Sequence, residues 1–122
     1  MLIGIGVDII ETERVKEAIA KEGFLARVYT ENEIELFKKR KMNPQTAAGN
    51  FAAKEAVMKA FGLGLDKLPF KDIEVLRLES GAPYVNLYGA AKEAYLGMNA
   101  KALKVSISNL KDMALAQAVL EG

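Results

Sequence analysis

The chain has 122 residues, is 51% hydrophobic and 27% charged, and carries a formal net charge of +1. That length supports one domain with its own core, and the near-neutral balance excludes a global charge-driven affinity for nucleic acid or an anionic membrane. It has neither cysteine nor histidine, so disulfides, thiolate nucleophiles, zinc–thiolate sites and imidazole catalysis are all excluded. Acid–base chemistry then falls to carboxylates, lysine, tyrosine or bound water. Any metal site must use oxygen ligands, which suits magnesium, manganese or calcium.

The first stretch, MLIGIGVDIIE, has no basic leader, and Asp8 interrupts its apolar run, so it does not read as a signal peptide. No uncharged apolar run approaches a membrane span, and a cytoplasmic location is expected. LIGIGVDII reads as a strand, with Ile3, Ile5, Val7 and Ile9 on one face. The other face carries Gly4, Gly6 and Asp8, and is bare enough for something to approach the backbone closely. Thr12 is expected to cap a helix through ERVKEAIA that Gly23 ends, with a further helical turn at Phe24 to Val28. Thr30 caps a helix over ENEIELFKKRK, with acids first and bases last, as the helix dipole favours.

Asn43-Pro44 opens a long helix to Phe61, with Gly62 at its C-cap. GLDKLPF is a loop. DIEVLRLE and PYVNLY are strands about an SGAP turn, GAAKEAYLGM is a helix, and ALKVSISNL and MALAQAVLE pair across a turn near Lys111-Asp112. With no repeat and no linker, residues 1–122 form a single domain of α+β class: an antiparallel sheet packed with helices around one long central helix.

Within FAAKEAVMKAF, Glu55 and Lys59 are four apart and share a helix face with Ala48 and Ala52. Asn50 and Lys54 fall on another side, beside Val57 and Phe61. An i,i+4 surface pair would explain Glu55 and Lys59 at about 0.3–0.5 kcal/mol. Beside Asp8, however, two carboxylates and one ammonium among small residues suit a magnesium–phosphate site. Gly4-Ile5-Gly6 lacks the third glycine of a dinucleotide loop, and no Walker-type loop exists. Ser106 and Ser108 have no histidine to form a hydrolase triad. Lys38-Lys39-Arg40-Lys41 reads as a solvated helix end, and Arg14 and Arg27 lie in a mixed-charge surface.

Three stretches, GIGVDIIETERV, FAAKEAVMKAFG and VSISNLKDMALAQAV, together resemble the holo-[acyl-carrier-protein] synthases, the small phosphopantetheinyl transferases, across nearly the whole chain. The resemblance implies magnesium-dependent transfer of phosphopantetheine from coenzyme A to a serine of apo acyl carrier protein, with adenosine 3′,5′-bisphosphate released. It further implies a homotrimer with sites between protomers, and no membrane or nucleic-acid partner. Asp8 and Glu55 match the magnesium ligands, and Lys59 the lysine on the coenzyme A phosphates. Gly62 falls among the coenzyme A contacts, and Arg14 and Arg27 match positions facing the acidic carrier protein.

Two positions depart from that pattern. The family commonly has Arg at the place of Asn50 and His at the place of Asn109, both expected near the 3′-phosphate of coenzyme A. Lys54 is the candidate to compensate, and a weakened hold on that phosphate is expected. The alternative is a non-catalytic trimeric module that binds nucleotides or carrier proteins.

Overall fold

A computed structural model describes residues 1–122. Strand β1 (Leu2–Glu11) runs directly into helix α1 (Thr12–Ile19), followed by α2 (Phe24–Val28), α3 (Glu31–Lys39) and α4 (Pro44–Phe61). A short 3-10 turn at Phe70–Asp72 leads into β2 (Ile73–Arg77) and β3 (Pro83–Leu87), then α5 (Gly89–Gly97), β4 (Ala102–Asn109) and β5 (Met113–Glu121). The strands form an antiparallel three-stranded sheet of order β1-β5-β4 and a separate β2-β3 hairpin. This is the α+β architecture expected from the sequence.

Helix α4 is the centre of the molecule. The Asn43 side chain accepts a hydrogen bond from the Gln45 amide at 2.9 Å, Pro44 occupies the first turn, and Gly62 closes the helix at φ 71°. Nearly every residue from Thr46 to Phe61 is buried, which explains why the helix has no polar stripe. It lies on the sheet face made by Gly4, Gly6, Ala114, Ala116, Ala118 and Leu120, where Gly4 pairs with Leu120, Gly6 with Ala118 and Asp8 with Ala116 across β1 and β5.

Small residues on both sides let the two backbones meet. A Cβ at Gly4 would overlap the carbonyl oxygen of Ala60, and one at Gly6 that of Ala56. The bare face of β1 thus receives the backbone of α4. The apolar face of the same strand turns outward: Ile5 is 60% exposed, Val7 and Ile9 are also exposed, and so is Leu115, the partner of Ile9 on β5.

Thr30 makes the expected cap, in reciprocal form, accepting from the Glu33 amide while the Glu33 carboxylate accepts from the Thr30 amide. Two expectations at α1 are corrected. Thr12 is the first helical residue rather than the cap, because β1 extends to Glu11, and its buried hydroxyl caps nothing. The helix ends at Ile19, and Gly23, at φ 83°, instead starts α2 in the left-handed region, where glycine is favoured.

The strand–helix contact is directly testable. Gly6→Ala should lower the unfolding free energy by about 1–3 kcal/mol, since the new methyl meets backbone that no side-chain motion can relieve. Gly97→Ala, where a Cβ would meet nothing within 4 Å, should be neutral or stabilising. Equal denaturation midpoints for the two variants would contradict this packing.

Candidate active site

Asp8 reaches the edge of the α4 contact because it is the first residue after Gly4 and Gly6 on the inward face of β1 that carries a side chain. That side chain is 19% exposed. Lys59, one turn after Glu55 on α4, donates from Nζ to Asp8 Oδ1 at 3.2 Å and to the Val7 carbonyl at 2.9 Å. The ion pair therefore joins α4 to β1, and the i,i+4 pair of Glu55 with Lys59 does not form.

Glu55 is half-buried beside this pair. Burial raises its carboxyl above the usual glutamate range, the Asp8 charge raises it further, and Lys59 opposes both. Two crowded carboxylates of this kind are relieved by a cation shared between them. An all-oxygen donor set suits a hard divalent ion, with water or substrate oxygens completing its shell. Magnesium therefore fits Asp8 and Glu55.

Asn50 and Lys54 do not join this site, and the ligand-facing role expected of them is corrected. Both are fully buried on the opposite side of α4. Lys54 Nζ donates to Glu33 Oε1 at 2.7 Å, to the Phe70 carbonyl at 2.9 Å and to the Ile73 carbonyl. Asn50 Nδ2 donates to Glu33 Oε2 at 2.9 Å and to the Val75 carbonyl at 2.8 Å. These bonds tie α4 to α3 and β2. Burial pushes Glu33 up and Lys54 down, while each partner's charge and hydrogen bond oppose that.

Asn109, at the end of β4, is exposed and donates from Nδ2 to the Gln45 carbonyl at 3.1 Å. Gly62 has open space beside its α carbon, at the end of α4 nearest Lys59. Arg14 and Arg27 are exposed on α1 and α2, and Arg14 has one weak partner, Glu11 at 3.7 Å. The sequence reading missed Glu33, whose place as third residue of a capping box conceals its second role as the buried counter-ion of Lys54. It also missed Arg77, which lines a cavity together with Arg40 and Asn109.

Comparison with known proteins gives one consistent result. The model of the 4′-phosphopantetheinyl transferase superfamily matches residues 4–118. A holo-[acyl-carrier-protein] synthase of Clostridium perfringens is 49% identical, the alignment covering 100% of this chain and 96% of that protein. The crystal structure of the Helicobacter pylori holo-[acyl-carrier-protein] synthase in complex with coenzyme A superposes with a TM-score of 0.84 at 33% identity, covering 96% of this chain and 99% of that one. The Bacillus anthracis holo-(acyl-carrier-protein) synthase, in complex with coenzyme A (3′,5′-ADP), gives a TM-score of 0.83 at 36% identity, covering 100% and 98%.

The structural role of Lys54 has a measurable signature. Lys54→Met should lower the unfolding free energy by about 3–5 kcal/mol, because it strands the buried Glu33 carboxylate. The double variant Glu33→Gln, Lys54→Met should recover a large part of that loss. A Lys54→Met protein as stable as the parent in urea would return Lys54 to the candidates for ligand contact.

Proposed function

The chain belongs to the 4′-phosphopantetheinyl transferase superfamily, and from that membership we propose how its own residues carry the transfer of 4′-phosphopantetheine from coenzyme A to a serine of apo acyl carrier protein. The observation that carries the reading is the ion pair of Lys59 with Asp8 beside the raised carboxyl of Glu55.

Attack of a serine hydroxyl on a phosphoryl group needs positioning and charge neutralisation more than a nucleophile from the enzyme. A chain without cysteine or histidine is suited to that task. Asp8 and Glu55 would hold a magnesium ion, which when bound neutralises charge on the pyrophosphate. Lys59 has three N–H donors and uses two of them on Val7 and Asp8. Its side chain is 55% exposed, so the third donor is available to the phosphate oxygens of coenzyme A. There it stabilises the charge that develops as the bond to the leaving nucleotide breaks, and adenosine 3′,5′-bisphosphate departs. Gly62 leaves room for the donor beside Lys59.

Arg14 and Arg27 offer exposed guanidinium groups to an acidic acceptor protein. Such contacts steer encounter and weaken with salt. A homotrimer belongs to the same reading. Ile5, Val7, Ile9 and Leu115 form an exposed apolar sheet face of the kind that marks an association surface. Lys59 shares a shallow cavity with Ile5, Val7 and Gln117 on its border, so a second copy docked on that face would also border the site. No helix is long and apolar enough to cross a membrane. A cytoplasmic location is part of the proposal, since coenzyme A is a charged donor that does not cross bilayers unaided.

The test is to incubate the protein with coenzyme A, magnesium and an apo acyl carrier protein, and to follow the acceptor's mass. The parent should add one phosphopantetheine group per acceptor. Lys59→Ala should reduce the rate by roughly 10²–10³-fold, the scale of losing one charge-stabilising donor, with little change in melting temperature. An unmodified acceptor would refute the reading. Near-parental turnover with a lowered melting temperature would instead make Lys59 a structural residue.

A further inference from the structure

The free edges of the two sheets meet on the side of the molecule away from Asp8. β1, which carries Asp8, is one edge of the three-stranded sheet, and β4 is the other. β3 pairs only with β2, and β4 lies alongside it without joining its ladder. A cavity of about 450 Å³ opens between the end of β3, the start of β4 and helix α5. Its rim is basic: Lys92 comes from α5, Lys101 from the turn after it and Lys104 from β4. All three are exposed, none takes part in an ion pair, and no carboxylate lines the cavity. Its walls are apolar, with Val85, Leu87, Leu103 and the Tyr95 ring half-buried against the core.

The backbone adds free hydrogen-bonding groups. Val75 spends its N–H and C=O on Glu33 and Asn50, and Tyr88 donates its N–H to the Asp72 carbonyl. The β2–β3 ladder is therefore bonded at Glu74–Asn86 and Leu76–Tyr84, and Val85 and Leu87 turn their N–H and C=O away from β2. The bond from the Leu110 N–H to the Met113 carbonyl fixes the same alternation on β4, where Leu103 turns its groups away from β5.

Lysines on strand edges commonly keep a sheet from joining another chain. That accounts for Lys104. It does not account for Lys92 and Tyr95, which lie three apart on one face of α5 and reach the same space. A further peptide strand has no room beside β3, because β4 already lies there. The volume instead falls in the range of small-molecule sites, about 300–1,000 Å³. We propose that this cavity binds a nucleoside polyphosphate, at a site separate from Asp8, Glu55 and Lys59. The three ammonium groups answer the charge of a phosphate chain. The Tyr95 ring and the apolar walls take the flat base, since every base has a face that packs on an aromatic ring. A purine edge carries both a donor and an acceptor, and the free C=O and N–H of the strand edges match them.

Calorimetric titration with adenosine triphosphate tests this independently of transfer, with coenzyme A in excess to fill the site beside Lys59. The triphosphate should bind about tenfold tighter than tripolyphosphate, which carries the charge without the base. Replacing Lys92 and Lys101 together by alanine should weaken it about tenfold to hundredfold. Lys21→Ala, which removes an exposed lysine outside the cavity, should leave it unchanged. No binding by the parent, equal affinity for tripolyphosphate, or undiminished affinity in the double variant would overturn the proposal.

Discussion

The close approach of α4 to β1 is the constraint on which the rest of the molecule depends. Gly4 and Gly6 have no side chains because the carbonyl groups of Ala60 and Ala56 occupy that space. The alanines of β5 continue the same shallow surface under the helix. The next inward position on β1 carries Asp8, and the approach sets its carboxylate beside α4 within reach of Lys59. A wider helix–sheet spacing would leave Asp8, Glu55 and Lys59 as three separate surface charges. The packing of the core and the assembly of the site are one geometric fact.

A second constraint works from the opposite side of the helix. Glu33 and Lys54 form a buried ion pair that is completed by carbonyl groups of the segment leading into β2. Nearby, Glu74 accepts from Thr30, Asn32, Asn86 and Tyr88. Burial opposes its charge, yet these four bonds together hold its carboxyl below the usual range. A buried ion pair is weak evidence for stability, since hydrophobic replacement of both partners is often tolerated. Its effect here is positional: it fixes α4 against α3 and β2, and so sets where Arg77 leaves the end of its strand.

Much of this was legible in the sequence, and the exceptions have physical causes. The Thr30 and Asn43 caps, the Gly62 C-cap and the β4–β5 hairpin follow from local chemistry, which a sequence records directly. Asp8, Glu55 and Lys59 stood out because charges among glycines and alanines are unusual. The partner of Lys59 was not legible, because Asp8 lies 51 residues away while Glu55 lies one turn away. Asn50 and Lys54 were misassigned for a related reason. A helical wheel separates faces, but in a helix buried past its first turn everywhere except near Phe51, Glu55 and Lys59 it does not tell a charged residue facing solvent from one facing the core. Glu33 was concealed by its capping role. Arg77 reads as an ordinary strand end until the hairpin brings it towards Arg40.

The central claim is that α4 and β1 force Asp8 and Glu55 into one electrostatic unit. The most direct measurement is a titration of the Glu55 side-chain carboxyl by carbon-detected NMR, in the parent and in Asp8→Asn. The account predicts that Glu55 titrates above the ordinary glutamate range in the parent. It predicts a shift down in Asp8→Asn, where the neighbouring negative charge is gone and only burial still raises the carboxyl, against Lys59. A Glu55 that titrates as a free glutamate, and is indifferent to Asp8, would contradict it.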